Sequence, residues 1–223
     1  MAKRDSSLPG EVVVLGLGRF GSSLALELEE NGIEVLGVDT DPENVQGLAD
    51  RLTHVVVADS TNEEALRQLG ITHFERAVVG IGTDLESSIL TASILLELGV
   101  KEVWAKAMTT AHAKILTQLG VHHVVRPEHD MGRRVAHLVA GKMLDYIEFD
   151  DGYAIVKTRP PQRIWDRPLS ESRVRSEFGV TIVGVKRQGE DFTHATPETV
   201  VHEGDLIIVS GSRAGVEKFS LLS

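Results

Sequence analysis

The residues best placed to do chemistry in this 223-residue chain form a glycine-rich turn, Gly16-Leu17-Gly18-Arg19-Phe20-Gly21, and one aspartate, Asp39, eighteen positions beyond it. A GxGxxG run alone is a weak signal. Here it follows an apolar run at 12–15 and opens a helical stretch, and Asp39 closes a second apolar run. That is the context of a dinucleotide-binding turn. Gly16 permits the tight bend, Gly18 lets backbone approach a phosphate, and Gly21 lets helix pack closely on strand. Unpaired N–H groups at the helix start then face an anion. Asp39 can accept hydrogen bonds from ribose hydroxyls, and its charge repels a 2′-phosphate, which disfavours NADP. Arg19 falls in the first helical turn, where a cation is unfavourable unless something negative is bound. Phosphate contact is therefore the reading adopted for Arg19. A structural turn with a surface aspartate would leave this set of coincidences unexplained.

Later apolar runs end in polar residues of the same kind: Asp59-Ser60, Gly82-Thr83-Asp84 and Lys106. Open α/β sheets bind ligands at the carboxyl ends of their strands. Each of these residues could be an ordinary loop position, and Asp84 could simply cap a helix; together they form a plausible rim. No acid–base pair accompanies them. None of the nine histidines stands in a catalytic context, and no HExxH-type metal motif is present. The sequence offers a nucleotide pocket without visible reaction chemistry.

The elements that would position this pocket are legible as a rhythm. Apolar runs at 12–15, 35–38, 55–58, 77–81, 103–107 and 124–125 start roughly 20–25 residues apart, the beat of repeated βα units. Asp41-Pro42 reads as N-cap and first helical residue, and Thr61 with Glu64 as a capping box. Gly32, Gly70, Gly99 and Gly120 each follow an apolar helical run, as C′ residues do. A helix is expected from about 131 to 146. Beyond Asp150-Asp151-Gly152 the rhythm changes: strands are expected at 153–158, 180–186 and 206–210, with short helices at 169–178 and 213–222. The expected architecture is a doubly wound parallel Rossmann sheet followed by a small α+β module. The boundaries read from it are a tail at 1–10, the nucleotide domain at 11–127, a crossover and linker helix at 128–150, and the second domain at 151–223.

Composition sets the class. Hydrophobic residues make up 42% and charged residues 25%, which suits a globular chain with a full core and not a disordered one. The absence of cysteine excludes disulfides and thiolate metal sites. With no signal-peptide core or bilayer-length apolar run, the expectation is a cytoplasmic protein. The net charge of −10 argues against nucleic-acid backbone binding. That charge is uneven: residues 1–150 hold 23 acidic and 13 basic side chains, and residues 151–223 hold 10 of each. Within the second part, residues 157–187 carry eight Lys/Arg against three Asp/Glu. A solvated basic face and an anion site explain that stretch about equally well.

Several segments together resemble the regulatory subunits of Trk/Ktr-type potassium uptake systems, built from an RCK (KTN) domain and a TrkA-C-like domain. They are Gly16–Gly21 with Asp39; Val78-Val79-Gly80-Ile81-Gly82 followed by Val103-Trp104-Ala105-Lys106-Ala107; Arg126-Pro127-Glu128-His129-Asp130-Met131-Gly132; and Val174-Arg175-Ser176-Glu177-Phe178-Gly179-Val180 with Glu203-Gly204-Asp205. The resemblance covers nearly the whole chain after the first ten residues. It implies a non-enzymatic cytosolic protein that assembles as dimers into an octameric ring. That ring would sit on the inner face of the membrane against a potassium-translocating subunit and change shape as ATP exchanges for ADP. A single copy of the unit favours the Ktr-like branch, while Trk-branch members also bind NAD(H). The resemblance further implies Mg2+ or Ca2+ held near the phosphates by Glu128, and cyclic di-AMP at Arg175 in the second domain. Asp84 departs from the Asn frequent at that position. The competing class is a soluble NAD(H)-dependent oxidoreductase, for which some seventy residues without an acid–base pair make a thin substrate domain.

Overall fold

The computed structural model describes residues 10–140 and 143–222; the tail expected at 1–10 lies, but for Gly10, outside the described residues. The chain divides into two compact units, Met1–Glu128 and His129–Ser223.

The first unit is a six-stranded parallel sheet in the order β3-β2-β1-β4-β5-β6. Its strands are β1 (Val12–Leu15), β2 (Val35–Asp39), β3 (His54–Val57), β4 (Arg76–Val79), β5 (Glu102–Lys106) and β6 (His123–Val125). The connecting helices are α1 (Arg19–Glu30), α2 (Pro42–Gln46), α3 (Glu63–Gln68), α4 (Leu85–Glu97) and α5 (Thr110–Leu119). This is the doubly wound order, with the switch point between β1 and β4. Both faces of the sheet are covered, so the central strands are continuously apolar. Val13, Leu15, Ala77, Val79, Val103 and Ala105 belong to one core, and Val12, Val14, Val35 and Val78 belong to the other.

Local chemistry explains most helix ends. Asp41 caps α2 by accepting the Glu43 N–H at 2.9 Å. The cap of α3 is Asn62, which accepts the Ala65 N–H at 3.2 Å, and not the expected Thr61. Thr61 is instead drawn into a turn, donating both its N–H and its hydroxyl to Asp59. Gly32, Gly70, Gly99 and Gly120 all have positive φ, between 72° and 94°, as C-terminal stops require.

The second unit holds a five-stranded antiparallel sheet in the order β10-β9-β11-β8-β7. Its strands are β7 (Met143–Glu148), β8 (Tyr153–Thr158), β9 (Val180–Lys186), β10 (Thr193–His194) and β11 (Leu206–Ser212). Helices α6 (Pro127–Ala140), α7 (Val174–Phe178) and α8 (Arg213–Ser220) complete the set, α6 running across the division between the units. Ile207, Val209, Val216 and Phe219 are fully buried in its core. The helix expected at 131–146 is corrected in its last part. Met143–Glu148 is a strand paired antiparallel with β8, Tyr146 opposite Val156. Asp150-Asp151-Gly152, read from the sequence as a change of rhythm, lies in the tight connection of that hairpin. Asp151 and Gly152 have φ of 68° and 70°, the conformation that makes Asp-Gly a hairpin turn.

Candidate functional site

The site builds from the β1–α1 turn. Gly16 has φ +92°, and a Cβ there would lie 2.8–2.9 Å from Ile81. A Cβ on Gly21 would stand 1.9 Å from the Gly16 carbonyl oxygen, and one on Gly80 would stand 2.6 Å from the same atom. Turn, α1 and the end of β4 therefore meet backbone to backbone, with no room for a side chain. Gly18 differs: its φ is ordinary and nothing lies within 4 Å of where its Cβ would be. Its smallness serves open space in front of the turn. Gly18 is the N-cap of α1, offers no side-chain cap, and is followed by no acidic residue in the first turn. The positive end of the helix is thus left uncompensated, the condition for holding an anion.

Asp39, at the end of β2, braces the turn. One carboxylate oxygen accepts the Leu17 N–H at 2.5 Å, and the other accepts the Asp41 N–H at 2.8 Å. Each oxygen keeps a second acceptor direction, so the carboxylate can hold the turn and still take ribose hydroxyls.

On the other side of the switch point, Lys106 ends β5 with its side chain only 10% exposed. Its ammonium lies 5.5 Å from the Phe20 ring centroid and donates to Glu128 at 2.6 Å. Glu128 is the second residue of α6, and its carboxyl is held below the usual carboxylate range, first by that hydrogen bond and further by the charges of Lys106 and Arg19. Gly82 leaves room here: a Cβ would come within 3.0 Å of the Met108 sulfur and 3.3 Å of the Lys106 ammonium. Arg19 is exposed on α1 and Thr83 is exposed after β4.

The structure thus brings Gly16, Gly18, Arg19, Phe20, Gly21, Asp39, Gly82, Lys106 and Glu128 together around the switch point. Three residues of the expected rim also have partners within the protein. Asp59 accepts from Thr61 within its own turn. Ser60 is buried and shares a 2.9 Å hydrogen bond with Thr91 of α4. Asp84 caps α4, accepting both the N–H and the hydroxyl of Ser87, which keeps its carboxyl below the usual range. Gly80 was not among the expected site residues, though its carbonyl-close packing builds the turn. A glycine ending a valine-rich strand was the available signal. Among the described residues no group of three or more His, Asp or Glu could hold a metal ion. Glu128 is therefore a single carboxylate, sufficient for a hard cation only where phosphate oxygens complete the shell.

His112, in the first turn of α5, is 2% exposed. Its Nδ1 accepts the Met108 N–H at 3.4 Å, and its Nε2 has no hydrogen-bond partner. Burial pushes its pKa below the ordinary histidine value, so the folded state keeps it neutral while the unfolded chain protonates near pH 6.5. The resulting stability is present above pH ~6.5 and is lost as pH falls through the folded-state pKa. Denaturant melts at pH 7.5 and 5.5 are expected to show a smaller loss on acidification in His112→Gln than in the natural chain.

In the second unit, Arg175 is exposed on α7 and donates to the Thr181 hydroxyl at 3.2 Å. Arg163 pairs with Glu177 and lies 5.1 Å from the centre of the Phe178 ring, so part of the basic stretch is engaged within its own unit.

A doubly wound sheet with this glycine turn, followed by a small antiparallel domain, is the arrangement of an RCK-type nucleotide-binding protein. Residues 12–127 match the TrkA-N domain family and residues 153–222 the TrkA-C domain family. The chain belongs to the Trk/Ktr family of potassium uptake proteins. It is 38% identical over 210 residues to Ktr system potassium uptake protein C of Bacillus subtilis (strain 168), covering 94% of this chain and 95% of that relative. It is 35% identical over 202 residues to Ktr system potassium uptake protein A of Vibrio alginolyticus, covering 90% and 92%. Among solved structures, the GsuK RCK domain superposes with a TM-score of 0.66 at 18% identity, covering 98% of this chain and 48% of that one. The GsuK channel bound to NAD gives 0.66 at 17%, covering 98% and 40%. At these identities the two structures establish the shared fold. Among the described residues no helix is long and apolar enough to cross a membrane.

Proposed function

We propose that this chain is the nucleotide-sensing regulatory subunit of a Ktr-type potassium uptake system, binding ATP or ADP at the carboxyl edge of the parallel sheet. The observation that carries the reading is the open space before Gly18 and the uncapped start of α1, flanked by Asp39 and by Lys106 with Glu128. In this reading Asp39 takes the ribose, Gly18 and the α1 N–H groups take the phosphates, and Arg19 with Lys106 meets a terminal phosphate. The chain binds nucleotide and changes state without transforming it. Dimers assemble into an octameric ring that works from the cytoplasmic side on a membrane potassium-translocating subunit. The relatives' names, as components of potassium uptake systems, support that assignment of partner. Asp59, Thr83 and Asp84 contribute as the outer wall of the same site, and Ser60 braces that wall from within through its hydrogen bond to Thr91. Arg175 is proposed to contact a second, dianionic ligand, cyclic di-AMP, between paired second domains.

A thermal-shift panel with ATP, ADP, NAD+, NADH and cyclic di-AMP tests the reading, because each ligand stabilises according to its affinity for the folded state. ATP and ADP are expected to give the largest shifts. Preferential stabilisation by NADH would favour an NAD(H)-sensing subunit or oxidoreductase instead. Arg19→Ala is expected to weaken ATP more than ADP, since a long cation beyond the glycine turn reaches a terminal phosphate; equal losses by calorimetry would remove that role. Glu128→Gln is expected to abolish the Mg2+ or Ca2+ dependence of ATP affinity, and a variant that retains it in full would show Glu128 to be only the partner of Lys106.

A further inference from the structure

We infer that the amino edge of the parallel sheet, opposite the nucleotide site, carries a docking pocket for a basic side chain from a cytoplasmic loop of the membrane partner. The inference rests on the regulatory-subunit reading above. A pocket of about 240 Å³ opens where β1, β2 and β3 begin. Its floor is apolar, formed in part by Leu36, Val56, Leu69 and Phe74, and its rim carries the exposed carboxylates of Glu11 and Glu34.

Neither rim carboxylate has a hydrogen-bond or ion-pair partner among the described residues. Their acidic neighbours are engaged. Glu29 accepts the N–H groups of Val35 and Thr53, Glu75 pairs with Lys101 at 2.5 Å, and Glu102 meets His123 at 3.1 Å. The pocket is larger than a single water or ion needs, so a longer side chain fits it better. An apolar floor under an acidic rim is the complement of a lysine or arginine, whose methylene stem lies on apolar surface while its charged head stays at the rim.

Two charge arguments select the source. Cytoplasmic loops of membrane proteins carry an excess of Lys and Arg close to their membrane-spanning segments. Residues 1–150, by contrast, hold ten more acidic than basic side chains. A rim of this kind would steer association and make it salt-sensitive.

The test is the charge-reversed double variant Glu11→Lys/Glu34→Lys, in the full chain, against the potassium-translocating subunit of a Ktr system reconstituted in nanodiscs. The variant is expected to bind nucleotide with an unchanged thermal shift and to lose at least about tenfold in affinity for the nanodiscs. The natural chain's nanodisc affinity is expected to fall with salt more steeply than the variant's. Unchanged nanodisc affinity would overturn the inference while leaving the regulatory reading intact. A change in oligomeric mass with nanodisc affinity preserved would also overturn it, by making a second copy of this chain the occupant. If the natural chain binds nucleotide but fails to bind the nanodiscs at all, the regulatory reading falls, and the inference with it.

Discussion

Gly21→Ala is expected to destabilise the protein by ~3 kcal/mol or more and to abolish nucleotide binding with it, whereas Gly18→Ala is expected to leave folding intact and weaken nucleotide alone. The contrast comes from where each new Cβ would go. At position 21 it stands 1.9 Å from the Gly16 carbonyl oxygen. Backbone, not a flexible side chain, would have to move, and overpacking of a rigid interior is costly. Gly16 cannot readily give way, because its N–H is held by the Val38 carbonyl at 2.8 Å and its φ of +92° already demands glycine. At position 18 the same methyl group meets no protein atom. It intrudes only on the space before α1 where a phosphate would approach. Denaturant melts should therefore separate the two variants clearly, and calorimetry with ATP and ADP should show the loss in Gly18→Ala. Full nucleotide affinity in Gly18→Ala would remove the phosphate from this turn.

Asp39→Ala is expected to lower nucleotide affinity by about ten- to a hundredfold, from loss of ribose hydrogen bonds to an ionised acceptor. It is also expected to lower stability by ~1–3 kcal/mol, because the Leu17 N–H loses its partner beside a side chain that is 2% exposed. The two effects can be separated with Asp39→Asn. The amide oxygen can still accept from one of Leu17 and Asp41, but its NH2 must then face the other N–H. Asn should therefore restore part of the stability while nucleotide affinity stays low. If Asp39→Asn binds ATP and ADP as tightly as the natural chain, the carboxylate braces the turn and does not touch the ribose.

What the chain announced in its own residues was the part of the molecule governed by short-range rules. The βα rhythm of the first unit, the cap at Asp41, the glycine stops and the dinucleotide turn each depend on residues a few positions apart. Periodicity and backbone freedom therefore suffice to read them. Asp39 was legible because, once the strands are known, the doubly wound order places the end of β2 beside the β1 turn. The tertiary structure decided which of several competing partners, near or distant, each side chain takes. Thr61 and Asn62 both suit a cap, and the hydroxyl of Thr61 went to Asp59 once that turn had formed. Ser60 was drawn inward because Thr91 of α4 offered a buried hydrogen bond. Met143–Glu148 spaces its apolar residues as acceptably for a helix as for a strand. Pairing with β8 across the Asp151-Gly152 turn settled it, with a bulge near Met143 that leaves Met143 and Tyr146 both buried. The same holds for Lys106 and Glu128. Each stands out in the sequence separately, Lys106 at a strand end and Glu128 through the resemblance, and only the convergence of β5 and α6 makes them one ion pair beside the glycine turn.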